Sequence, residues 1–158
     1  MELHPQAKRI VDFAAASGVT IEVIEYPDGT RTAEDAANAV GCLVDQIVKS
    51  MIFDADGEIV LALTSGAHLV DGSALAEVAG VAECGRADVD KVRATTGFAI
   101  GGVPPFGHVN EVRTWIDPHI LAFDQVWAAA GTPRHVFAIP PAELVRLTGA
   151  TPASFTRR

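Results

Sequence analysis

Lysine is scarce in this 158-residue chain: Lys8, Lys49 and Lys91 stand against nine arginines, and twenty acidic residues leave a net charge of −8. A surface of that sign offers phosphate backbones no general attraction, so a nucleic-acid partner would have to be gripped locally or presented by another protein. Cysteine is nearly as rare. Cys42 and Cys84 have no C-x-x-C spacing, which argues against a disulfide framework and for a reducing compartment with both thiols as small packed hydrophobes. No apolar run approaches the roughly 18 residues of a membrane span, and the opening "MELHPQAKRI" lacks the apolar centre of a signal peptide. A cytoplasmic location without a membrane partner is therefore expected. Catalytic signatures are missing too. There is no G-x-S-x-G elbow, no G-x-x-x-x-G-K phosphate loop and no G-x-G-x-x-G. His4, His68, His119 and His135 show no metal-ligand spacing, so neither a metal nor a cofactor is expected.

What is present is a globular composition, 49% apolar and 20% charged, with a length suited to a single domain over residues 1–158. No repeat or linker divides it. Residues 4–17 have helical periodicity, and "VTIEVIEY" alternates as a strand does. Thr32 reads as the N-cap of a second helix ended by Gly41, with Glu34 and Asp35 in its first turn. "DQIVKSMIFDADGEIVLALT" reads as a hairpin turning at Asp56-Gly57. Short helices are expected over 71–79 and 88–94, each opened by an aspartate. "VRTWI" reads as a strand and "PPAELVRLTG" as a closing helix. "FDQVWAAAGTPRHVFAIP" is open to two readings, an alanine-rich helix or a hairpin turning at Gly131-Thr132-Pro133. The irregular alternation favours a mixed α/β or α+β domain.

Two features suggest chemistry. Lys49 lies on a strand whose two faces carry Ile47, Met51 and Phe53, and Val48, Ser50 and Ile52. The hairpin register places Thr64 opposite it, and "LALTS" (61–65) holds no carboxylate. Lys49 either reaches water at the strand end or waits at a pocket rim for an anion such as phosphate. The second feature is "TGFAIGGVPPFGH" (96–108). Its glycines admit close approach of a ligand, and Pro104 and Pro105 stiffen it while donating no N–H. The amides of Gly101, Gly102 and Val103 on one side, and of Phe106, Gly107 and His108 on the other, could bind a carbonyl oxygen or oxyanion. A tight connection between strands is the plainer alternative. His108 is either a base or a locally bonded histidine.

Several segments together resemble the YbaK/prolyl-tRNA synthetase-associated editing family: "RTAEDAANAVGCLVDQIVKSMIF", "LALTSGAHLVDGSALAEVAG", "TGFAIGGVPPFGH" and "WIDPHILAFDQVWAAAGTPRHVFAIPPAELVRLTGA". The similarity covers about residues 20–150, and its specificity lies in the joint order of the segments. The resemblance implies a strongly curved, nearly barrel-like mixed sheet with helices outside, and the hairpin reading of the ambiguous segment. It implies a free-standing aminoacyl-tRNA deacylase that hydrolyses the ester at the 3′ adenosine of mischarged tRNA, typically tRNA for proline, with prolyl-tRNA synthetase as a candidate partner. Lys49 matches the family's functional lysine, and Gly101 and Pro105 match the ends of its G-x-x-x-P loop. Lys49, Gly101 and Gly102 are thereby the expected catalytic groups. Ser50, Val103, Pro105, Phe106, Gly107 and His108 are the expected substrate contacts. Alanine-specific members carry a histidine-proline pair where this chain has Ala129-Ala130, a departure from that subgroup. Two other classes compete with the deacylase: an inert module that docks on tRNA or a synthetase, and a small-molecule binding protein using the same pocket.

Overall fold

The structure is a computed structural model that describes residues 3–26 and 32–158, so Met1 and Glu2 of the N-terminal stretch lie outside the described residues. Its centre is a long antiparallel hairpin, β2 (Ile47–Ala55) and β3 (Glu58–Ser65). Asp56 and Gly57 both take positive φ, at 54° and 99°, the conformation a two-residue hairpin with right-handed twist requires. The Asp54 carboxylate accepts from the Gly57 amide at 2.6 Å and fixes the turn. The register sets Lys49 opposite Thr64, as the turn position dictates.

Around this hairpin β1 (Val23–Glu25), β6 (Arg113–Ile116), β7 (Val126–Ala129), β8 (His135–Ile139) and β9 (Thr151–Pro152) complete a mixed sheet in the order β1-β8-β7-β2-β3-β6-β9. The pairs β2–β7, β3–β6 and β6–β9 are parallel. No pairing joins β1 to β9 among the described strands, so the sheet stays open rather than closing as a barrel. β5 (Cys84–Arg86) pairs with the far end of β2, and β4 (Leu69–Val70) with β10 (Thr156–Arg157) forms a separate two-stranded sheet.

Alternation along β3 sends Ile59, Leu61 and Leu63 into one core and Val60 and Ala62 into another. The first core takes Ile10 and Ala14 of α1 (Pro5–Ala16), Val92 of α4 (Val89–Thr96) and Leu144 of α5 (Pro141–Thr148). On the other face α3 (Gly72–Ala79) adds Leu75 and Ala79, while α2 (Ala33–Val40) packs Ala36 and Ala37 on Ile47. Each fully buried leucine or phenylalanine contributes roughly 1.5–3 kcal/mol. The helix starts follow local chemistry: Thr32, Asp71 and Asp88 each accept from a first-turn amide. The alternating segment 19–26 is strand only over Val23–Glu25, where it pairs with β8; at its start the Val19 amide bonds back to Ala14 at the end of α1. The ambiguous alanine-rich segment is the β7–β8 hairpin, with Val126, Ala128 and Ala130 buried. Tertiary burial outweighs helix propensity there.

Candidate functional site

β2 is longer than either partner on its outer edge. β7 pairs with it only at Ile47 and Val48, and β5 only from Phe53 to Ala55. Between them, at residues 49–52, no described strand covers that edge. The gap opens into a cavity of about 710 Å³. Its apolar wall includes Met51, Ile52, Trp127, Ala129 and Val136, and Gly101 and Val103 border it from the glycine-proline loop.

Lys49 lines this cavity, half-buried, and its Nζ donates to the His68 carbonyl at 2.6 Å. The backbone partner was invisible in the neighbouring strand because it lies beyond the end of β3. Burial lowers the Lys49 pKa from its ordinary value, and the charge of Asp117 opposes that shift. Asp117 is 2% exposed. Its carboxylate accepts from the amides of Ser65 (3.2 Å) and His119 (3.0 Å) and meets His68 Nδ1 at 2.7 Å. The His68 and His119 rings stack at 4.8 Å, and His119 Nε2 meets Asp45 at 2.8 Å. Residue 68, whose carbonyl holds the ammonium, is thus itself held through its side chain. Ser50 also lines the cavity. Its Oγ is the one buried side-chain polar atom without a hydrogen-bond partner among the described residues.

The glycine-proline loop divides at its prolines. Gly101 is exposed at φ 97°, and Val103 is buried; neither amide has a hydrogen-bond acceptor among the described residues, and both residues border the Lys49 cavity. Gly102 differs. Its amide donates to the Ala99 carbonyl at 3.1 Å, and its Cα packs so tightly that a Cβ would lie 2.7 Å from Thr132 Cα. It is therefore placed as the seam between the loop and the β7–β8 turn rather than as a free donor. Pro105, Phe106, Gly107 and His108, expected with the substrate groups, do not border this cavity; they line a separate cleft with Phe13 and Trp115. Phe106 is drawn into the core, with its ring 5.4 Å from Phe13 and 5.5 Å from Phe137. His108 Nε2 meets the Pro104 carbonyl at 2.7 Å, and burial lowers its pKa, which fits local bonding rather than a base.

A family model for the aminoacyl-tRNA editing domain matches residues 27–147. The chain belongs to that family. Among curated relatives of this editing domain, the uncharacterised protein YwhH of Bacillus subtilis is 27% identical over 124 residues, 78% of each chain. The proline–tRNA ligase of Elusimicrobium minutum is 33% identical over 104 residues, 64% of this chain but 18% of the ligase. Among solved structures, a proposed trans-editing enzyme for prolyl-tRNA synthetase is 40% identical. It superposes with a TM-score of 0.93 over 99% of this chain and 100% of its own. Within the editing domain, no group of three or more His, Cys, Asp or Glu is arranged for a metal, and no helix is long and apolar enough to cross a membrane, among the described residues.

Sequence reasoning missed Asp117, His68 and the exit of β7 from β2. Asp117-Pro118 carries a visible helix-cap signal, and Asp117 does accept from the His119 amide. Its burial beneath Lys49 depends on the parallel β3–β6 pairing, which no local pattern shows.

Proposed function

We propose that this editing domain is a deacylase acting in trans on mischarged tRNA, with tRNA for proline as the first substrate to test and prolyl-tRNA synthetase as its functional partner. The observation that supports this best is the convergence of Lys49, Ser50 and the unbonded amides of Gly101 and Val103 on one cavity. The ester carbonyl oxygen accepts from those amides. Water adds to the carbonyl carbon, and the negative charge that develops on oxygen meets donors already oriented, so little reorganisation is needed. The ester C–O bond breaks and the departing ribose oxygen takes up the proton, leaving free amino acid and a 3′-hydroxyl. The Lys49 ammonium engages the terminal phosphate or ribose end of the substrate. Ser50 Oγ completes its hydrogen bonding on a substrate polar group. No described side chain in the cavity is placed as a general base; Glu34, its lining carboxylate, is exposed on α2, so the substrate's own ribose hydroxyl is the nearest proton relay. The apolar wall suits an uncharged amino-acid side chain.

The test is single-turnover hydrolysis of a panel of tRNAs for proline charged with different amino acids. Release of at least one uncharged amino acid, lost in Lys49→Met, is expected. A folded protein that hydrolyses none of the panel would refute the reading.

A further inference from the structure

The basic side chains of this acidic protein are unevenly neutralised. Lys8, Lys91, Arg113 and Arg146 are paired with Asp12, Asp54, Glu58 and Glu143. Arg9, Arg86, Arg93, Arg134, Arg157 and Arg158 form no ion pair among the described residues; of these, Arg9 and Arg93 meet at one cleft, and Arg134 follows Pro133, which lines the same cleft. Arg93, with His4, Gln6, Gly97 and Thr132, borders a cleft of about 420 Å³ behind the glycine-proline loop. Arg9 reaches the same place: its Nη1 lies 3.4 Å from where a Gly97 Cβ would sit, and its guanidinium stands 5.4 Å from the centre of the Phe98 ring. The Gly107 carbonyl fixes Arg9 through Nε at 2.9 Å. Arg134 follows the Thr132-Pro133 turn, and its amide donates to Thr132 Oγ1 at 3.1 Å. Beyond that turn, Glu25 approaches His135 Nε2 at 3.7 Å.

This cleft adjoins the Lys49 cavity. Thr132 borders both, and the packing of Gly102 on the Thr132 backbone forms the wall between them. A chain with its terminal ester beside Gly101 and Val103 can leave over that wall, and its preceding phosphates then meet the guanidinium groups. Guanidinium forks suit phosphate oxygens, and such contacts position a strand without reading its sequence.

We propose that Arg93 and Arg134, with Arg9 behind them, form the surface that holds the phosphodiester backbone of the single-stranded 3′ end of the substrate RNA. The identity of the RNA rests on the deacylase reading; the phosphate surface can be tested apart from it. The probes are uncharged tRNA and a short CCA-ended oligoribonucleotide, titrated against salt with the intact protein. Each phosphate contact in a single strand contributes a slope of about −0.7 in log affinity against log salt. The two arginine contacts contribute about −1.4 to the wild-type slope, which weakens by about 0.7 in Arg93→Ala and in Arg134→Ala and by about 1.4 in the double variant. Arg146→Ala, which removes an ion-paired guanidinium elsewhere, leaves the slope unchanged. In hydrolysis, KM rises in the two variants while kcat is retained. Melting curves that match wild type show that these exposed substitutions leave the fold intact. Variants that keep the wild-type slope and KM overturn the proposal even if the enzyme deacylates. Conversely, an arginine-dependent slope without hydrolysis of any charged tRNA keeps the surface and removes the deacylase.

Discussion

Gly102→Ala adds one methyl group at the seam between the glycine-proline loop and the β7–β8 turn. That methyl would lie 2.7 Å from Thr132 Cα and 2.9 Å from both Thr132 C and N. All three are backbone atoms, so no side-chain rotation relieves the overlap, and one segment must retreat. φ strain is absent, because Gly102 is not among the positive-φ glycines; the whole effect is steric. Overpacking of this kind costs about 1–3 kcal/mol, and for a domain near this size each kcal/mol lowers Tm by about 2–4 °C. A drop of roughly 2–12 °C follows. The amides of Gly101 and Val103 flank the displaced residue, so the rate of deacylation falls as well, by up to the 10²–10³-fold typical of losing an oxyanion donor. Gly101→Ala provides the contrast. Its Cβ would meet only Pro133 Cγ at 3.7 Å, but φ is 97°, so the cost is backbone strain of about 1–3 kcal/mol. The assay pairs thermal melting with single-turnover hydrolysis. A Gly102→Ala protein that melts within 1 °C of wild type, about the resolution of the measurement, would show that the seam is not closed and would refute the reasoning.

Other outcomes follow from the same geometry. Lys49→Met should abolish most hydrolysis yet shift Tm by no more than the few degrees equivalent to about 1 kcal/mol, because the lost bond to the His68 carbonyl is offset by relief of ammonium desolvation; gross unfolding would reveal a structural lysine instead. Ser50→Ala removes a buried hydroxyl without a partner, so stability should hold or rise while KM increases, and unchanged kinetics would separate Ser50 from the substrate. Asp117→Asn removes the charge that opposes the lowering of the Lys49 pKa; that pKa should fall further, observable by NMR titration of the Lys49 side chain, and an unmoved value would uncouple the two. His108 and His135 are both held below the ordinary histidine value by burial. As pH falls from about 6.5 toward those lower folded values, the unfolded chain takes up protons that the fold resists, so stability decreases. His108→Gln should flatten that dependence, and an identical melting profile would contradict the assignment.

The features readable in the sequence were those governed by neighbours along the chain. Thr32, Asp71 and Asp88 cap helices because each side chain reaches amides two or three residues on. Asp56-Gly57 sets the hairpin, and with it the opposition of Lys49 and Thr64. Where long-range packing decided, the sequence was mute. The open sheet, the parallel β2–β7 pair that ends at Val48, and the burial of Asp117 depend on residues dozens of positions apart. The loop shows both regimes. Its stiffness was plain from Pro104 and Pro105, but Phe106 turns inward only because Phe13 and Phe137 leave space for it. His108, two residues on, lines a different cleft from Lys49.

The gap on the outer edge of β2 also bears on how this protein can vary and assemble. An uncovered strand edge is ordinarily a template for unwanted pairing with another chain. Here β7 and β5 bracket the bare stretch to residues 49–52, too short for a second molecule to zip onto, so the fold keeps polar main chain accessible without inviting aggregation. Main-chain groups cannot be deleted by changing side chains. Mutation can therefore reshape the surrounding wall, at Ala129 or Val136 for instance, and redirect which guest is accepted while the donors beside it persist. A lineage built on this frame could drift in selectivity without first losing its chemistry.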